Sequence, residues 1–426
     1  MTDLVVGIDI GTSGARALAM DASGAVVAQA GAKMAAHGDN FRDACVWWRT
    51  LDAALDTLFA EVDANRVAAL AVDGTSGTML PIDAHGRPLA DALMYSDTVA
   101  DTEILAAIAT AAPPTSAAHG STSGLAKIVA FQKTLSPWKV IHQADWIAGK
   151  FSGRFDVSDE NNALKTGYDP VSRRWPDWIA ATGADASLLP EVVAPGAPVG
   201  HAVSEHARRH GLSPETVVVA GTTDGCASFL ATGAEKIGDG VTALGTSLTV
   251  KVLSEKPIFA PQYGLYSHRI GDRWLAGGAS NTGGKVLAHF FADSRVAELS
   301  KKIDPRQSSG LDYYPLVGEG ERFPVADPDL APRLEPRPDD DAKFLHGIFE
   351  GIAAIEALGY ERLAELGGPV LKSLRSVGGG AANPVWTEIR HRRLGAPFLP
   401  ALSEEAAAGT ARLALQGAIA AGVLRP

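Results

Sequence analysis

An apolar run closed by a Gly-Thr-Ser turn and answered by a second apolar run occurs twice in this chain, once in each half. The first is Leu4–Ile10, the turn Gly11-Thr12-Ser13-Gly14 and Ala15–Met20; the second is Val241–Leu244, Gly245-Thr246-Ser247 and Leu248–Leu253. β-rich runs separated by so short a glycine turn read as hairpins. After the first, Asp21-Ala22-Ser23-Gly24 signals a turn into a third strand, Ala25–Ala30. Trp48–Val62 then carries helical spacing through Leu51, Leu55, Leu58 and Phe59, and Val67–Val72 returns as a strand. Three strands before the first helix is not the start of a plain dinucleotide-binding unit, which alternates strand and helix from the outset. In the second half, Thr216–Ala220, Tyr266–Ile270, Arg273–Ala276 and Leu374–Val377 read as strands. Phe344–Leu366, a segment opening at Pro384, and Glu404–Ala421 read as helices. The repeat implies a duplicated α/β architecture of two related domains facing a cleft, each presenting a Gly-Thr turn to a polyphosphate.

Length agrees with two domains, because 426 residues exceed one ordinary core. Leu311–Asp341, rich in Pro, Gly and acids, reads as an irregular excursion and not as a boundary. A formal charge of −11 argues against nucleic acid or an anionic membrane as partner. It leaves room for a nucleotide, which needs only local N–H groups and a metal. The short basic clusters Arg390–Arg393 and Lys301-Lys302 read as solvated surface. Cys45 and Cys226 are too few for a disulfide framework or a zinc site, and Cys226 reads as buried filler before it reads as a reactive thiol. Met1-Thr2-Asp3 lacks a basic leader, and Leu413–Leu424 falls short of the ~20 residues that cross a bilayer. The expectation is a soluble, cytoplasmic protein.

In the first turn, Gly11 and Gly14 let backbone N–H groups approach an anion, and Thr12 and Ser13 add hydroxyl donors. Asp9 ends the preceding strand; a carboxylate beside phosphate makes sense if it holds Mg²⁺. An ordinary hairpin is the plain alternative, and the second turn at Gly245 and Thr246 weighs against it. Gly378-Gly379-Gly380 joins a strand to a helix, which suits a nucleotide at a helix N-terminus, with Asn383 and Trp386 placed to bond and stack. A flexible loop and a core aromatic are the alternatives. Asp224 follows a strand in Gly221-Thr222-Thr223-Asp224-Gly225 and fits the acceptor of a substrate hydroxyl's proton; a helix cap is the alternative. Asp73-Gly74-Thr75-Ser76-Gly77 and the cluster Asp156, Asp159, Asn161, Asn162 and Lys165 offer short polar groups for a sugar, or are simply polar turns.

These residues resemble the FGGY carbohydrate kinases, members of the actin, sugar-kinase and Hsp70 ATPase fold group. The likeness rests on VVGIDIGTSGARA (Val5–Ala17), AVDGTSGT (Ala71–Thr78), AGTTDG (Ala220–Gly225), LGTS (Leu244–Ser247) and VGGGAANPVW (Val377–Trp386), and covers nearly the whole chain. It implies an α/β fold of two RNase H-like domains flanking a nucleotide cleft. Residues 1–231 would bind sugar and residues 232–404 nucleotide, with the closing helix 405–426 packing on the first domain. By resemblance Asp9 and Thr12 meet Mg-ATP phosphate, Asp224 is the catalytic base, and Asp9 and Asp224 serve the metal. Gly11, Ser13, Gly245, Thr246 and Gly283 would face phosphate, and Gly378, Gly379, Asn383 and Trp386 the adenosine. Asp9, Ser13, Asp73, Ser76, Lys165 and Asp224 make up the sugar side.

Within the family the chain is most similar to compact D-ribulose kinases, through SDENNALKTGYDP (Ser158–Pro170), SGLDYYPL (Ser309–Leu316) and GERFPVADPD (Gly320–Asp329). Where larger relatives carry a Trp-x-Asp sugar contact, this chain has Tyr95-Ser96-Asp97. The resemblance implies ATP-dependent phosphorylation of D-ribulose to D-ribulose 5-phosphate, in a monomer or homodimer. D-xylulose or a polyol is the alternative acceptor. An actin- or Hsp70-like ATPase without a sugar is a second class, and an oxidoreductase reading Gly378–Asn383 as a dinucleotide loop a third.

Overall fold

The computed structural model describes residues 3–425; Met1 and Thr2, on which the reading of the leader rests, and Pro426 lie outside it. Two compact units divide the chain. One comprises Met1–Ala231, His268–Asp272 and Glu405–Pro426; the other comprises Thr232–Ser267 and Arg273–Glu404.

The first unit is built on β1 (Leu4–Ile10), β2 (Gly14–Asp21), β3 (Val26–Lys33), β4 (Val67–Gly74), β5 (Pro198–His201) and β6 (Val217–Thr223), in the order β3-β2-β1-β4-β6-β5. β1, β4 and β6 are neighbours and parallel, while β2, β3 and β5 run antiparallel to their partners. Every residue of those three parallel strands is buried, as continuous apolar runs covered on both faces require. On one face Leu4, Val6 and Ile8 meet Trp47, Leu51 and Leu55 of the helix Ala44–Glu61, and on the other Val5 meets Ala407, Ala411 and Ala414. The helix Ala44–Glu61 starts earlier than Trp48 because the Asp43 carboxylate accepts the Cys45 N–H and caps it.

The closing helix Ala406–Ala420 lies on β1 at backbone distance. A Cβ on Gly7 would stand 2.0 Å from the Ala407 carbonyl oxygen, and one on Gly409 1.9 Å from that of Ala227. Its run of Ala and Gly is therefore a packing device. β6 runs through Thr223 straight into the helix Asp224–Ala231, so Asp224 follows the strand with no loop between. The segment His268–Asp272 is held to this unit by Asn161, whose amide exchanges hydrogen bonds with the Arg269 backbone at 2.9 and 2.7 Å.

In the second unit β7 (Asp239–Leu244), β8 (Leu248–Ser254), β9 (Arg273–Ala279) and β10 (Ser373–Val377) lie in the order β9-β8-β7-β10, with β7 and β10 parallel. The helix Asp341–Glu365 covers the core with Phe344, Leu345, Ile348, Ile352 and Ile355. The expectation that Arg390–Arg393 is solvated surface holds for His391, Arg392 and Arg393 and is corrected for Arg390. Arg390 is fully buried and donates twice, at 2.7 Å each, to the equally buried Glu356. Thr242 of β7 donates to the same carboxylate at 2.5 Å. Arg390 stands four residues after Trp386, on the helix's buried stripe, and the charge is there because its partner is there too. Cys226 is buried, and no described helix is long and apolar enough to cross a membrane.

Candidate active site

The three parallel strands of the first unit each deliver an aspartate at or just past the carboxyl end: Asp9 from β1, Asp73 from β4 and Asp224 after β6. Asp9 and Asp73 are register partners, 5% and 0% exposed. Burial raises the Asp9 carboxyl, against a hydrogen bond from Asp73 and the charge of Arg16. Burial and then the Asp9 charge raise Asp73 well above the carboxylate range. Thr410 of the closing helix donates to Asp73 Oδ2, while Asp73 Oδ1 has no donor of its own. The shared proton therefore sits on Asp73, and Asp9 keeps the negative charge. Arg16, the register partner of Asp9 on β2, donates to Asp9 Oδ2 at 3.2 Å and lies 3.3 Å from Glu405.

Asp224 is half-buried at the first turn of its helix, where the helix dipole favours a carboxylate. Its Oδ1 accepts the Gly225 N–H at 2.6 Å, and its charge bears on both Asp9 and Asp73. With Asp73 protonated, Asp9 and Asp224 are the charged oxygen donors. That set suits Mg²⁺, which takes one or two carboxylates and completes its shell with water and phosphate. Next to Asp9, the hairpin closes by Gly11 N–H to Gly14 carbonyl at 3.0 Å and leaves Thr12 and Ser13 exposed.

The loop after β4 carries Ser76 and Gly77. Lys127, fully buried, donates to the carbonyls of Gly77 at 2.8 Å and Met94 at 2.6 Å, and burial lowers its pKa to about 8. The Lys165 side chain passes beside Gly77. His142 is fixed neutral, its pKa lowered by burial and by Lys127 and Lys165 to about 3. Ser76 Oγ, His142 Nδ1 and Gln143 Nε2 are buried with no protein partner. A polyhydroxylated ligand satisfies such groups.

The rest of the expected polar cluster is engaged within the protein, apart from Asn162 Oδ1, which is buried with no protein partner. Asp156 pairs with Arg154, and Asp159 accepts the Asn161 and Asn162 N–H groups and the Asn162 amide. Asn161 ties Thr222 to the Arg269 backbone. Asp97 is bound by Arg42 at 2.6 Å and by the Met94 N–H at 2.8 Å, and Tyr95 is exposed.

In the second unit the expected glycines converge. Gly245 and Thr246 are exposed, and their carbonyls accept the Gly284 and Lys285 N–H groups at 2.8 and 3.1 Å. Gly283 has φ +132° and room only for hydrogen, because a Cβ would stand 2.7 Å from Leu248 N. Gly378 packs on the Leu244 carbonyl, and Gly379 faces open space. Two expectations change. Trp386 is 1% exposed and stacks on Phe349 at 4.9 Å, so it is core rather than a face for adenine. Asn383 caps its helix by accepting the Val385 and Trp386 N–H groups, and its amide donates to Ser300 at 2.9 Å.

Sequence reasoning missed Arg16, Thr410, Lys127, His142 and Gln143. Arg16 had a signal, since closing the hairpin at Gly11 and Gly14 sets it opposite Asp9. Thr410 had none, because it comes from a helix 337 positions after Asp73.

Residues 4–112 match the N-terminal domain of the FGGY family of carbohydrate kinases, and residues 240–418 match its C-terminal domain. The chain belongs to the FGGY family of carbohydrate kinases. Among curated relatives, an autoinducer-2 kinase of Yersinia enterocolitica is 29% identical over 307 residues, covering 66% of this chain and 56% of that protein. The chain thus spans about half the length of the curated relatives it matches. Among solved structures, a xyloylose kinase from Brucella ovis has a TM-score of 0.86 at 23% identity, covering 98% of this chain and 91% of that one. A xylulose kinase from Bifidobacterium adolescentis has a TM-score of 0.82 at 20% identity, covering 99% and 93%. These two similarities establish the fold.

Proposed function

We propose that this chain is an ATP-dependent kinase that transfers the γ-phosphoryl group to a hydroxyl of a small sugar, with D-ribulose as the first acceptor to test. The observation that carries the reading is the aspartate triplet, one on each parallel strand end, beside a Gly-Thr-Ser-Gly turn. The first unit supplies the acceptor pocket and the carboxylates; the second supplies Gly245, Thr246, Gly283, Gly378 and Gly379 for the nucleotide.

In the reaction the acceptor oxygen forms a bond to the γ-phosphorus and the bond to the β,γ-bridging oxygen breaks. ADP leaves with that electron pair, and the hydroxyl proton passes to Asp224. In a loose transition state the proton departs late, so a carboxylate that orients the hydroxyl suffices. Asp9 and Asp224 would hold Mg²⁺, which supplies charge neutralisation for the phosphates. Arg16 keeps Asp9 oriented, and the proton on Asp73 stops three carboxylates from repelling one another. Ser76, Lys165, His142 and Gln143 are the groups that read the sugar's hydroxyls.

ADP release measured across D-ribulose, D-xylulose, polyols and autoinducer-2 tests this, the last two arms prompted by the wider family and by the names of the curated relatives. Stimulation by D-ribulose above the others supports the reading. Preference for D-xylulose would keep the kinase and change the sugar. ATP use indifferent to every sugar supports a switch ATPase instead.

A further inference from the structure

The irregular excursion Leu311–Asp341 of the second unit, with the two residues before it, carries SGLDYYPL and GERFPVADPD, motifs that the proposed reaction does not use. Their structure gives them a task. Glu321 is 2% exposed, and its carboxylate receives four donors within the unit. Ser280 Oγ donates at 2.5 Å and Tyr314 OH at 3.1 Å to one oxygen; the N–H groups of Asn281 and Arg322 donate at 2.7 and 3.0 Å to the other. The Asn281 amide also donates to the Gly320 carbonyl at 2.8 Å, and Thr282 Oγ1 to the Pro315 carbonyl at 2.6 Å. The excursion therefore grips Ser280-Asn281-Thr282 at every residue.

That tripeptide leads directly into Gly283-Gly284-Lys285, whose N–H groups at 284 and 285 close onto the carbonyls of Gly245 and Thr246. Thr282 is itself laddered to β8, its carbonyl accepting the Leu248 N–H at 2.9 Å. Gly283 is pressed against Ser247 and Leu248 with no space for a side chain. A shift of Ser280–Thr282 is thus passed to the Gly245-Thr246 turn through rigid backbone contacts. Burying a carboxylate is costly unless its hydrogen bonds are complete, and here they converge on one loop.

We infer that Glu321 is a positioning residue that sets the Gly245-Thr246 and Gly283 backbone for the phosphates of the nucleotide. This rests on the reading of those turns as the nucleotide's phosphate site. Glu321→Gln keeps the shape and replaces one accepting oxygen by a donor, opposed to the donors already aimed at it. Mg-ADP and adenosine binding to the whole chain, measured by calorimetry, separate the roles. The expected result is Mg-ADP affinity lowered roughly tenfold to a hundredfold, as a misplacement of about an ångström at a reacting group costs, with adenosine affinity unchanged. Ser280→Ala, which removes one donor and no bulk, moves Mg-ADP in the same direction by less, and carries the test if Glu321→Gln does not fold. Equal loss of both ligands, or wild-type Mg-ADP affinity in both variants, would overturn the inference. A wild-type chain that binds no Mg-ADP overturns the underlying nucleotide reading, and is recognised before any variant is made.

Discussion

Asp9, Asp73 and Asp224 share a small volume, and their difference in role comes from what each one touches. Asp73 is enclosed by β-strand and by Thr410 and holds a proton; Asp9 has Arg16; Asp224 sits half-buried at a helix start. Replacing Asp224 with Asn keeps an acceptor for the Gly225 N–H and removes the base, so kcat should fall roughly a thousandfold, within the usual range for a general base, while adenosine binding in calorimetry stays. Near-normal kcat would remove Asp224 from the mechanism. His142 gives a pH signature of a different kind. It stays neutral in the fold with a pKa of about 3, while an unfolded histidine titrates near 6.5. The unfolded chain therefore binds the extra proton first. The stability this neutral group allows is complete above about pH 6.5 and is lost as pH falls towards about 3. Relative to wild type, His142→Gln should flatten the acid limb of urea-unfolding stability by about 2 kcal/mol near pH 5. Identical acid limbs would show that His142 charges freely. Asp159, raised by burial to about 6, works in the opposite sense, so the comparison must be of variant with parent.

At the scale of elements, the closing helix packs on β1 and on the helix Asp224–Ala231 at backbone distance. Gly7 and Gly409 are glycines because two backbones meet there, not because a turn needs them. Gly409→Val should destabilise by about 3 kcal/mol in urea unfolding, the upper end of ordinary overpacking; a change within error would mean the closing helix stands further from the helix Asp224–Ala231. Much of this level was readable beforehand. β1, β4 and the hairpin turns have apolar runs bounded by Gly and Asp, and local pattern suffices for them. The helix Pro384–Leu394 shows where it did not suffice. Trp386 and Arg390 looked like a nucleotide contact and a surface charge, yet both fall on one buried stripe with Ile389. The spacing was present in the sequence. What was missing was Glu356, 34 residues earlier, whose carboxylate takes both hydrogen bonds of the buried arginine.

For the whole molecule, the carboxylates and turns named from sequence fall into two groups, each inside one compact unit, and the family match spans both. The motifs near chain turns were legible because phosphate chemistry demands glycine and hydroxyl residues at fixed offsets. The groups proposed for the sugar side were less so: Lys127 and the adjacent pair His142 and Gln143 are far along the chain from Ser76, and only folding sets Lys127 on Gly77 and Gln143 on Thr75. The account stands most directly on where the γ-phosphoryl group goes. With γ-labelled ATP, Mg²⁺ and D-ribulose, the label should appear on a pentulose phosphate in step with ADP, and should stay on ATP when sugar is withheld. Label released as inorganic phosphate at the same rate with or without any sugar in the panel would contradict it.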